Sequence, residues 1–467
     1  MEDLRVATTT GTSTVLEEAV IEEFQGGLRG ELLRPGDDGY EAARIVWNAM
    51  IDNRPALIAR CAGAADVIHS VNFAHTHKLL VAVRGGGHDV AGTAVCDGGL
   101  VIDLSRMKGI RVDPTRRTVR AEPGLTWGEF DQETQAFGLA TTGGFVPTTG
   151  IAGLTLGGGL GYLMRRFGLV CDNLLSVDIV TAEGRLLTAS ETENEDLFWG
   201  VRGGGGNFGI VTSFEYELHP VGPMVLGGLI LHPLDRAKEI AQLYREVTST
   251  APDELTSHLA FVTSPEGQPV VAFIICYSGP IDEGEEVIRP LREFGPPAAD
   301  MAGPMPYTAI QALGGDLYPD GRWNYWKSNF LQVLSDEAID TMIEQFSAVP
   351  SPFSAAALEH LDGGVSRVGE DETAFGDRSA PYSLIITSEW VDPAETDRNV
   401  QWARNFWEAM QPFTRDAVYV NYMDIRDEAD RIRAAYGADK YERLVALKNK
   451  YDPTNLFRLN KNIQPTV

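Results

Sequence analysis

The sequence predicts an α+β fold made of two domains and a C-terminal segment. Its 467 residues are too many for one small hydrophobic core. From about residue 40 to residue 220, helix-like and strand-like segments alternate around three clusters of glycine. The composition changes near HPVGP (219–223), after which glycine-rich loops become rare. We therefore predict domains over residues 1–222 and 223–415, followed by a C-terminal segment over residues 416–467.

The elements of the first domain follow from their hydrophobic patterns. Residues 64–78 are amphipathic and predict a helix. Short apolar or β-branched stretches predict strands at residues 79–83, 100–105 and 118–124. Thr126 and Glu129 have the spacing of a capping box at the start of a helix, and Gly138 is expected to end that helix. Residues 176–190 predict a hairpin that turns at Glu183 and Gly184.

The second domain is predicted to contain its own sheet. The β-branched and aromatic runs at residues 269–279 and 382–390 are typical of strands. Residues 439–460 predict a helix that ends at the Asp452-Pro453 turn, because proline cannot continue a helix.

Composition and charge exclude several classes of function. A formal net charge of −27 would repel nucleic acid and an anionic membrane surface, so we expect neither as a partner. The four cysteines lie far apart and form no CxxC pair, and the histidines at 69, 75 and 77 lack the i,i+4 spacing of helical metal ligands. We therefore expect no metal site. With no leader-like start and no membrane-length apolar run, the sequence predicts a cytoplasmic enzyme, and its oligomeric state is left open.

Three glycine clusters, at residues 83–92, 148–161 and 199–216, call for a common explanation. Gly204, Gly206 and Gly209 have GxGxxG spacing, but a helix-like segment precedes them and a strand-like segment follows, which is the reverse of a dinucleotide-binding Rossmann motif. No P-loop and no GxSxG elbow occur. Glycine costs backbone entropy, about 0.5–1 kcal/mol per residue relative to alanine. Three such loops therefore favour an extended cofactor that is closely wrapped by backbone over tight turns alone.

At this point the chain resembles a known family, the berberine-bridge-enzyme-like FAD-linked oxidases of the vanillyl-alcohol-oxidase, or PCMH-type, flavoprotein group. The resemblance runs from about Leu32 to Pro465 and is closest to bacterial members. It rests on six motifs: VRGGGHDVAG, GIAGLTLGGGLGYL, RFGLVCDNL, DLFWGVRGGGGNFGIVTSFEY, YVNYMD and YDPTNLFRLNKNI. The resemblance implies a PCMH-type FAD-binding domain, and a substrate domain whose antiparallel sheet covers the flavin.

The resemblance also implies how the cofactor is held. His88 matches the histidine that the family joins covalently to the flavin. Val146 stands where many members have a second attaching cysteine, so one covalent bond and a more open flavin face are expected. Thr149 matches the position that controls oxygen access, where a residue of this size favours an oxidase. The motifs assign to FAD binding Arg84, Gly85, Gly86, Gly87, His88, Ala91, Val146, Thr148, Thr149, Gly150, Gly153, Gly158, Gly159, Gly161, Gly209, Ile210, Val211, Tyr422, Asn460 and Asn462.

For catalysis, the resemblance points first to Tyr422, with Tyr419 as its neighbour. Ser383 stands where the family often has a glutamate or glutamine, so the means of activating the Tyr422 phenol is left open. His360 matches a polar active-site position of some members. Because side chains alternate along a strand, only one of Glu359 and His360 can face the site. His360 is the expected candidate, and a strand histidine without a role is the alternative.

The expected reaction is oxidation of a C–H bond next to an alcohol, amine or phenol of a small molecule. Hydride would pass to flavin N5, and dioxygen would be reduced to hydrogen peroxide. Two alternatives remain, a covalent-flavin dehydrogenase with another electron acceptor and a non-catalytic ligand-binding relative. An aromatic cluster, Tyr318, Trp323, Tyr325 and Trp326, is predicted to be either core or a wall for a flat substrate.

Overall fold

The computed structural model describes residues 3–424 and 429–467, so residues 425–428 of the predicted C-terminal segment lie outside the described part. Strands up to residue 220 are β1 (Leu4–Ala7), β2 (Ser13–Leu16), β3 (Glu31–Leu33), β4 (Leu57–Arg60), β5 (Val81–Arg84), β6 (Leu100–Asp103), β7 (Ile110–Asp113), β8 (Thr118–Ala121), β9 (Leu139–Ala140), β10 (Leu174–Val180), β11 (Leu186–Ser190), β12 (Ile210–Glu217) and β13 (His219–Pro220). Helices here are α1 (Glu18–Gly26), α2 (Tyr40–Arg44), α3 (Ala64–His77), α4 (Trp127–Gln135), α5 (Ile151–Leu156), α6 (Met164–Phe167) and α7 (Glu195–Val201).

Two sheets organise this first half. Strands β3, β4, β6 and β5 lie side by side in that order, with β4, β6 and β5 parallel, and strands β11, β10, β12, β8 and β7 form an antiparallel sheet. The predicted elements are present: α3 covers the amphipathic segment, β10 and β11 form the hairpin, and Thr126 and Glu129 make the capping box of α4. The glycines at 85–87 directly follow β5, and the glycines between residues 203 and 209 directly precede β12.

The second half is built on one large antiparallel sheet. Its strands are β14 (Met224–Pro233), β15 (Leu255–Thr263), β16 (Pro269–Tyr277), β17 (Ala299–Asp300), β18 (Gly303–Pro306), β19 (Trp323–Leu331), β20 (Ala355–His360) and β21 (Tyr382–Trp390). They lie in the order β17, β14, β16, β15, β20, β21, β19, with β18 also paired to β14. The helices are α8 (Ala237–Thr248), α9 (Ile281–Glu293), α10 (Tyr307–Ala312), α11 (Asp336–Ser347), α12 (Gly364–Arg367) and α13 (Thr396–Met410).

The two faces of this sheet have different environments. One face packs against α8, α9, α11 and α13, and its inward side chains include Leu358, Leu384 and Ile386 in a single hydrophobic core. Side chains alternate along a strand, so the neighbouring residues Ala357, Glu359 and Ile385 belong to the other face. That second face is turned toward the glycine loops of the first half.

The C-terminal segment returns to the first half of the chain. Helices α14 (Ala429–Tyr436) and α15 (Ala438–Tyr451) share a core with strands β8, β10 and β12. The buried Lys448 ammonium lies 2.7 Å from the Asp452 carboxylate and donates to the carbonyls of Asn207 and Phe457, both at 2.9 Å. This polar cluster fixes the last residues against the third glycine cluster.

β13 pairs with β9 of the first half, whereas β14 belongs to the large sheet of the second half, so the chain passes from one half to the other at residues 221–223. The domain boundaries at 222 and 415 stay a prediction. Across residues 3–424 and 429–467, no helix combines the length and the apolar character needed to cross a membrane. The cellular compartment stays a prediction.

Candidate active site

A large cavity lies between the glycine loops and the free face of the large sheet. The loops after β5, around Gly150 and before β12 form its floor, and residues of β15, β20 and β21 form its roof. The C-terminal segment closes it through Tyr419–Tyr422 and Phe457–Lys461. All three glycine clusters therefore contribute to one cavity, as the hypothesis of an extended cofactor requires.

The floor depends on close backbone contact between two glycines. A β-carbon placed on Gly86 would lie 2.5 Å from the amide nitrogen of Gly150, and one placed on Gly150 would lie 2.5 Å from the amide of Gly86. No side chain can be inserted at this crossing without moving the backbone. The two loops consequently present bare peptide groups to the cavity.

His88 lies half-buried in the wall of the cavity. Its Nε2 atom has no hydrogen-bond partner within the described part of the chain. Burial lowers the pKa of the imidazole to about 4, so the ring is neutral at physiological pH. Its face stacks on the indole of Trp47, with 4.4 Å between centroids and 15° between planes.

The predicted cofactor residues divide into two groups. Those that line the cavity are Gly85, Gly86, Gly87, His88, Val146, Thr149, Gly150, Gly153, Gly209, Ile210, Val211, Tyr422 and Asn460. Arg84, Ala91, Thr148, Gly158, Gly159, Gly161 and Asn462 lie outside the lining. Arg84, for example, turns away to donate to the carbonyl of Ala43 at 2.5 Å. Roles in cofactor binding stay predictions for both groups.

Tyr422 and Glu359 form the polar centre of the cavity. The Tyr422 hydroxyl donates a 2.7 Å hydrogen bond to Oε1 of Glu359, on strand β20. Burial raises the pKa of Glu359 to about 7, although the hydrogen bond from Tyr422 opposes the increase. Burial, together with the charge of Glu359, raises the pKa of Tyr422 well above 10. The carboxylate is therefore the member of the pair that exchanges a proton near neutral pH.

The expectation that His360 faces the site is wrong. His360 lies on the helix-facing side of β20, where its ring is 5.6 Å from Tyr382 and its Nε2 is 3.6 Å from Asp362. Glu359 faces the cavity instead, because Leu358 and His360 share the face that packs on the helices. The carboxylate that the family often has at the position of Ser383, on β21, is therefore supplied here by Glu359 on the adjacent strand β20. Ser383 is paired with Glu359 in the register of β20 and β21 and is buried behind the cavity lining.

Tyr419 lines the cavity, but its hydroxyl is occupied. It accepts a 3.0 Å hydrogen bond from the amide of Gly159 and a 2.7 Å bond from Asn421. The hydroxyl therefore connects the C-terminal segment to the second glycine cluster, and the hydroxyl that contacts Glu359 is that of Tyr422.

Sequence reasoning missed His258, which lines the roof on strand β15. The register of β15 and β20 pairs it with Glu359, and its ring lies 4.6 Å from Phe145 and 5.8 Å from Tyr162. No motif marks this histidine. A polar histidine within a strand of mostly small and apolar residues was the one indication in the sequence that His258 could line a cavity.

The predicted aromatic cluster is divided between wall and core. Tyr318 and Trp326 line the cavity. Trp323 packs on Trp390, and Tyr325 is buried in the core on the helix-facing side of the sheet.

Comparisons with known proteins agree with this architecture. The family model described as FAD binding domain matches residues 55–190, and the model described as Berberine and berberine like matches residues 418–464. An FAD-linked oxidoreductase of Dictyostelium discoideum is 33% identical over 453 residues, covering 96% of this chain and 97% of that protein. The (R)-6-hydroxynicotine oxidase of Paenarthrobacter nicotinovorans is 32% identical over 452 residues, covering 94% and 97%.

Solved structures show the same fold. The crystal structure of 6-hydroxy-D-nicotine oxidase from Arthrobacter nicotinovorans superposes with a TM-score of 0.87 at 29% identity, covering 94% of this chain and 98% of that one. A structure of berberine bridge enzyme superposes with a TM-score of 0.86 at 21% identity, covering 96% and 100%. With these relatives matched over nearly its whole length, the chain belongs to the berberine-bridge-enzyme-like FAD-linked oxidoreductases of the PCMH-type flavoprotein group.

Proposed function

We propose that the protein is an FAD-dependent oxidase that acts on a small molecule at a C–H bond next to an alcohol, amine or phenol group and reduces dioxygen to hydrogen peroxide. The observation that carries the proposal is the 2.7 Å hydrogen bond from Tyr422 to Glu359, at the roof of the cavity whose floor is the glycine loops. A proton acceptor and a cofactor cavity thus share one enclosed space.

The residues of the cavity fit a flavin. The glycine backbones at Gly86 and Gly150 cross in direct contact, which only residues without side chains allow, and both glycines line the cavity, where their peptide groups are available to a large planar ligand. Buried polar atoms without partners in the described chain, the Nε2 of His88 and the Oδ1 of Asn460, are ready to bind it. We propose that His88 carries the one covalent bond, since the Val146 side chain, which also lines the cavity, has no nucleophile.

When bound, FAD supplies the hydride acceptor and passes the electrons to dioxygen. The protein's own contribution is proton transfer. Because the pKa of Tyr422 lies far above 10, a free phenolate is costly. Tyr422 can instead give its proton to Glu359 while it receives the proton of the substrate's O–H or N–H group. Glu359, with a pKa of about 7, is deprotonated in a large fraction of molecules at neutral pH.

Thr149 supports an oxidase over a dehydrogenase. Its short side chain lines the cavity, so it leaves space for dioxygen at the position where the family controls oxygen access.

Two measurements test the proposal. Enzyme mixed anaerobically with a panel of alcohols, amines and phenols should lose its yellow flavin absorbance with a substrate, and admission of air should restore the absorbance within seconds with one peroxide per turnover. A reduced enzyme that reoxidises only with an organic acceptor would instead be a dehydrogenase. Flavin that separates from wild-type protein in acid as readily as from His88→Ala would refute the covalent bond.

A further inference from the structure

The charges around the cavity are few. Among the described lining residues, the charged side chains are Asp89, Glu359 and Lys461. Lys461 lies 3.2 Å from the Asp89 carboxylate, in the loop next to His88, so these two charges neutralise each other on the floor. Glu359 is the remaining charge, and it lies on the roof.

Three aromatic rings form a series that begins at Glu359. Tyr422 is hydrogen-bonded to it, the indole of Trp326 lies 5.8 Å from the Tyr422 ring at an interplanar angle of 80°, and Tyr318 lies 6.3 Å from Trp326. All three rings line the cavity. The faces of aromatic rings attract cations, most strongly where water is excluded.

The neighbouring histidine does not oppose a cation. His258 is paired with Glu359 across strands β15 and β20. Burial lowers the pKa of its imidazole to about 3, so the ring is uncharged. Its Nε2 atom is buried without a partner in the described chain and is available for a neutral polar group of a ligand.

Apart from Thr387 on β21, the roof residues other than Glu359 and His258 are apolar. Ala260, Ala357, Ile385 and Ile274 face the cavity from four adjacent strands. A carbohydrate would leave several hydroxyls without hydrogen bonds against this surface, at a cost of about 1–3 kcal/mol for each. A carboxylate would be repelled by Glu359.

We infer that this roof is an amine-binding subsite, which takes a small, largely apolar amine as its cation, with the nitrogen between the Glu359 carboxylate and the rings of Tyr422 and Trp326. This inference rests on the proposed oxidase function and narrows its substrate class from alcohols, amines and phenols to amines. Carbohydrates and organic acids are excluded as substrates.

The chemistry balances for such a substrate. Glu359 accepts the ammonium proton, directly or through Tyr422, and leaves a free amine. The C–H bond next to nitrogen then breaks, its hydrogen and electron pair leave for bound FAD, and the nitrogen lone pair forms the C=N bond of an iminium ion. In the net reaction one ammonium ion and one dioxygen give one iminium ion and one hydrogen peroxide. The amine loses two electrons and two hydrogens, and dioxygen gains both.

Three ligands that share one hydrocarbon group and differ in their charged or polar substituent test whether the positive charge determines binding. 2-Phenylpropan-2-amine, 2-phenylpropan-2-ol and 2-methyl-2-phenylpropanoate carry an ammonium, a hydroxyl and a carboxylate on the same carbon skeleton. None has a hydrogen on the substituted carbon, so none is oxidised there. Each is titrated into the FAD-loaded enzyme, and binding is followed by the change in flavin absorbance.

The amine should bind at least ten-fold more tightly than the alcohol, and the carboxylate should not bind. Glu359→Gln should weaken amine binding at least ten-fold and alcohol binding less than two-fold, in protein with unchanged flavin content and melting temperature. Equal affinities for amine and alcohol, binding of the carboxylate, or no binding of any of the three would overturn the inference. Air reoxidation of dithionite-reduced enzyme tests the oxidase function separately.

Discussion

The indole of Trp47 stacks on the imidazole of His88, with ring centroids 4.4 Å apart and planes 15° apart. Trp47 is itself fixed, because its Nε1 donates a 3.0 Å hydrogen bond to the carbonyl of Tyr318. The orientation of the proposed attachment residue therefore depends on a ring that also contacts Trp326, in the wall of the substrate side.

Trp47→Ala should lower the fraction of protein with covalently bound flavin, whereas Trp47→Phe should retain most of it. An aromatic pair is worth about 0.5–1.5 kcal/mol, which corresponds to about a two- to ten-fold bias toward one ring orientation. Flavin fluorescence of the denatured protein band and intact mass measure the fraction. His88→Ala is the control with no covalent flavin, and full loading of Trp47→Ala would contradict the prediction.

Glu359→Gln should slow reduction of the flavin by about 10²–10⁴-fold, because it removes the proton acceptor. In wild type the reduction rate should fall as pH drops below about 7, since burial raises the pKa of Glu359 to about 7 and its protonated form cannot accept a proton. The variant should lose this pH dependence. Stopped-flow absorbance between pH 5.5 and 9 measures both.

The matched control is His360→Gln. His360 is the next residue of the same strand, is equally buried and faces the helices. Its substitution should leave the pH profile of flavin reduction unchanged even if the protein becomes less stable. A shifted pH profile in His360→Gln would contradict the prediction, because it would show that a residue on the helix-facing side of β20 influences proton transfer at Glu359.

Substitution of the two tyrosines of YVNYMD should affect different properties, stability for Tyr419 and the rate of flavin reduction for Tyr422. Tyr419→Phe leaves the buried amide of Gly159 without its partner, which costs about 1–3 kcal/mol. It should lower the melting temperature and retain the reduction rate. Tyr422→Phe should slow flavin reduction and leave the melting temperature nearly unchanged, since the Tyr422 hydroxyl contacts Glu359 in the cavity. Thermal melts and stopped-flow reduction on both variants decide, and equal loss of rate would contradict this assignment.

Asp131 predicts a pH dependence of stability outside the active site. Its buried carboxyl accepts a 2.8 Å hydrogen bond from Gln311, and burial raises its pKa to about 7. An acid whose pKa is higher in the folded state binds more protons there, so its contribution is fully present below the unfolded value near 4 and is lost as pH rises through 7. Asp131→Asn, which cannot ionise, should therefore gain stability relative to wild type between pH 5 and pH 8. A constant difference in melting temperature would show that Asp131 is not ionising in this range.

Much of the fold could be predicted from local pattern. The capping box at Thr126 and Glu129, the helix α3 and the hairpin of β10 and β11 depend on residues close in sequence, and all are present. The glycine clusters also indicated one shared cofactor cavity. Three glycine-rich loops lose much backbone entropy on folding, and binding of one extended ligand explains all three.

The orientation of β20 could not be predicted in the same way. Alternation showed that Glu359 and His360 face opposite sides, but choosing between the sides requires knowing which face the helices cover. Leu358, larger than the alanines at 355 and 357, was the available indication that the face it shares with His360 is the packed one. His258 was missed because its partner Glu359 comes from a strand distant in sequence.

The Lys448 cluster has a consequence for how the cavity keeps a ligand. Tyr419–Tyr422 and Phe457–Lys461 line the cavity together with the glycine loops. Lys448 holds this region through the carbonyl of Asn207, 241 residues away in sequence. The cavity therefore has all of its walls only when distant parts of the chain pack together, so retention of a cofactor is coupled to the completion of tertiary structure.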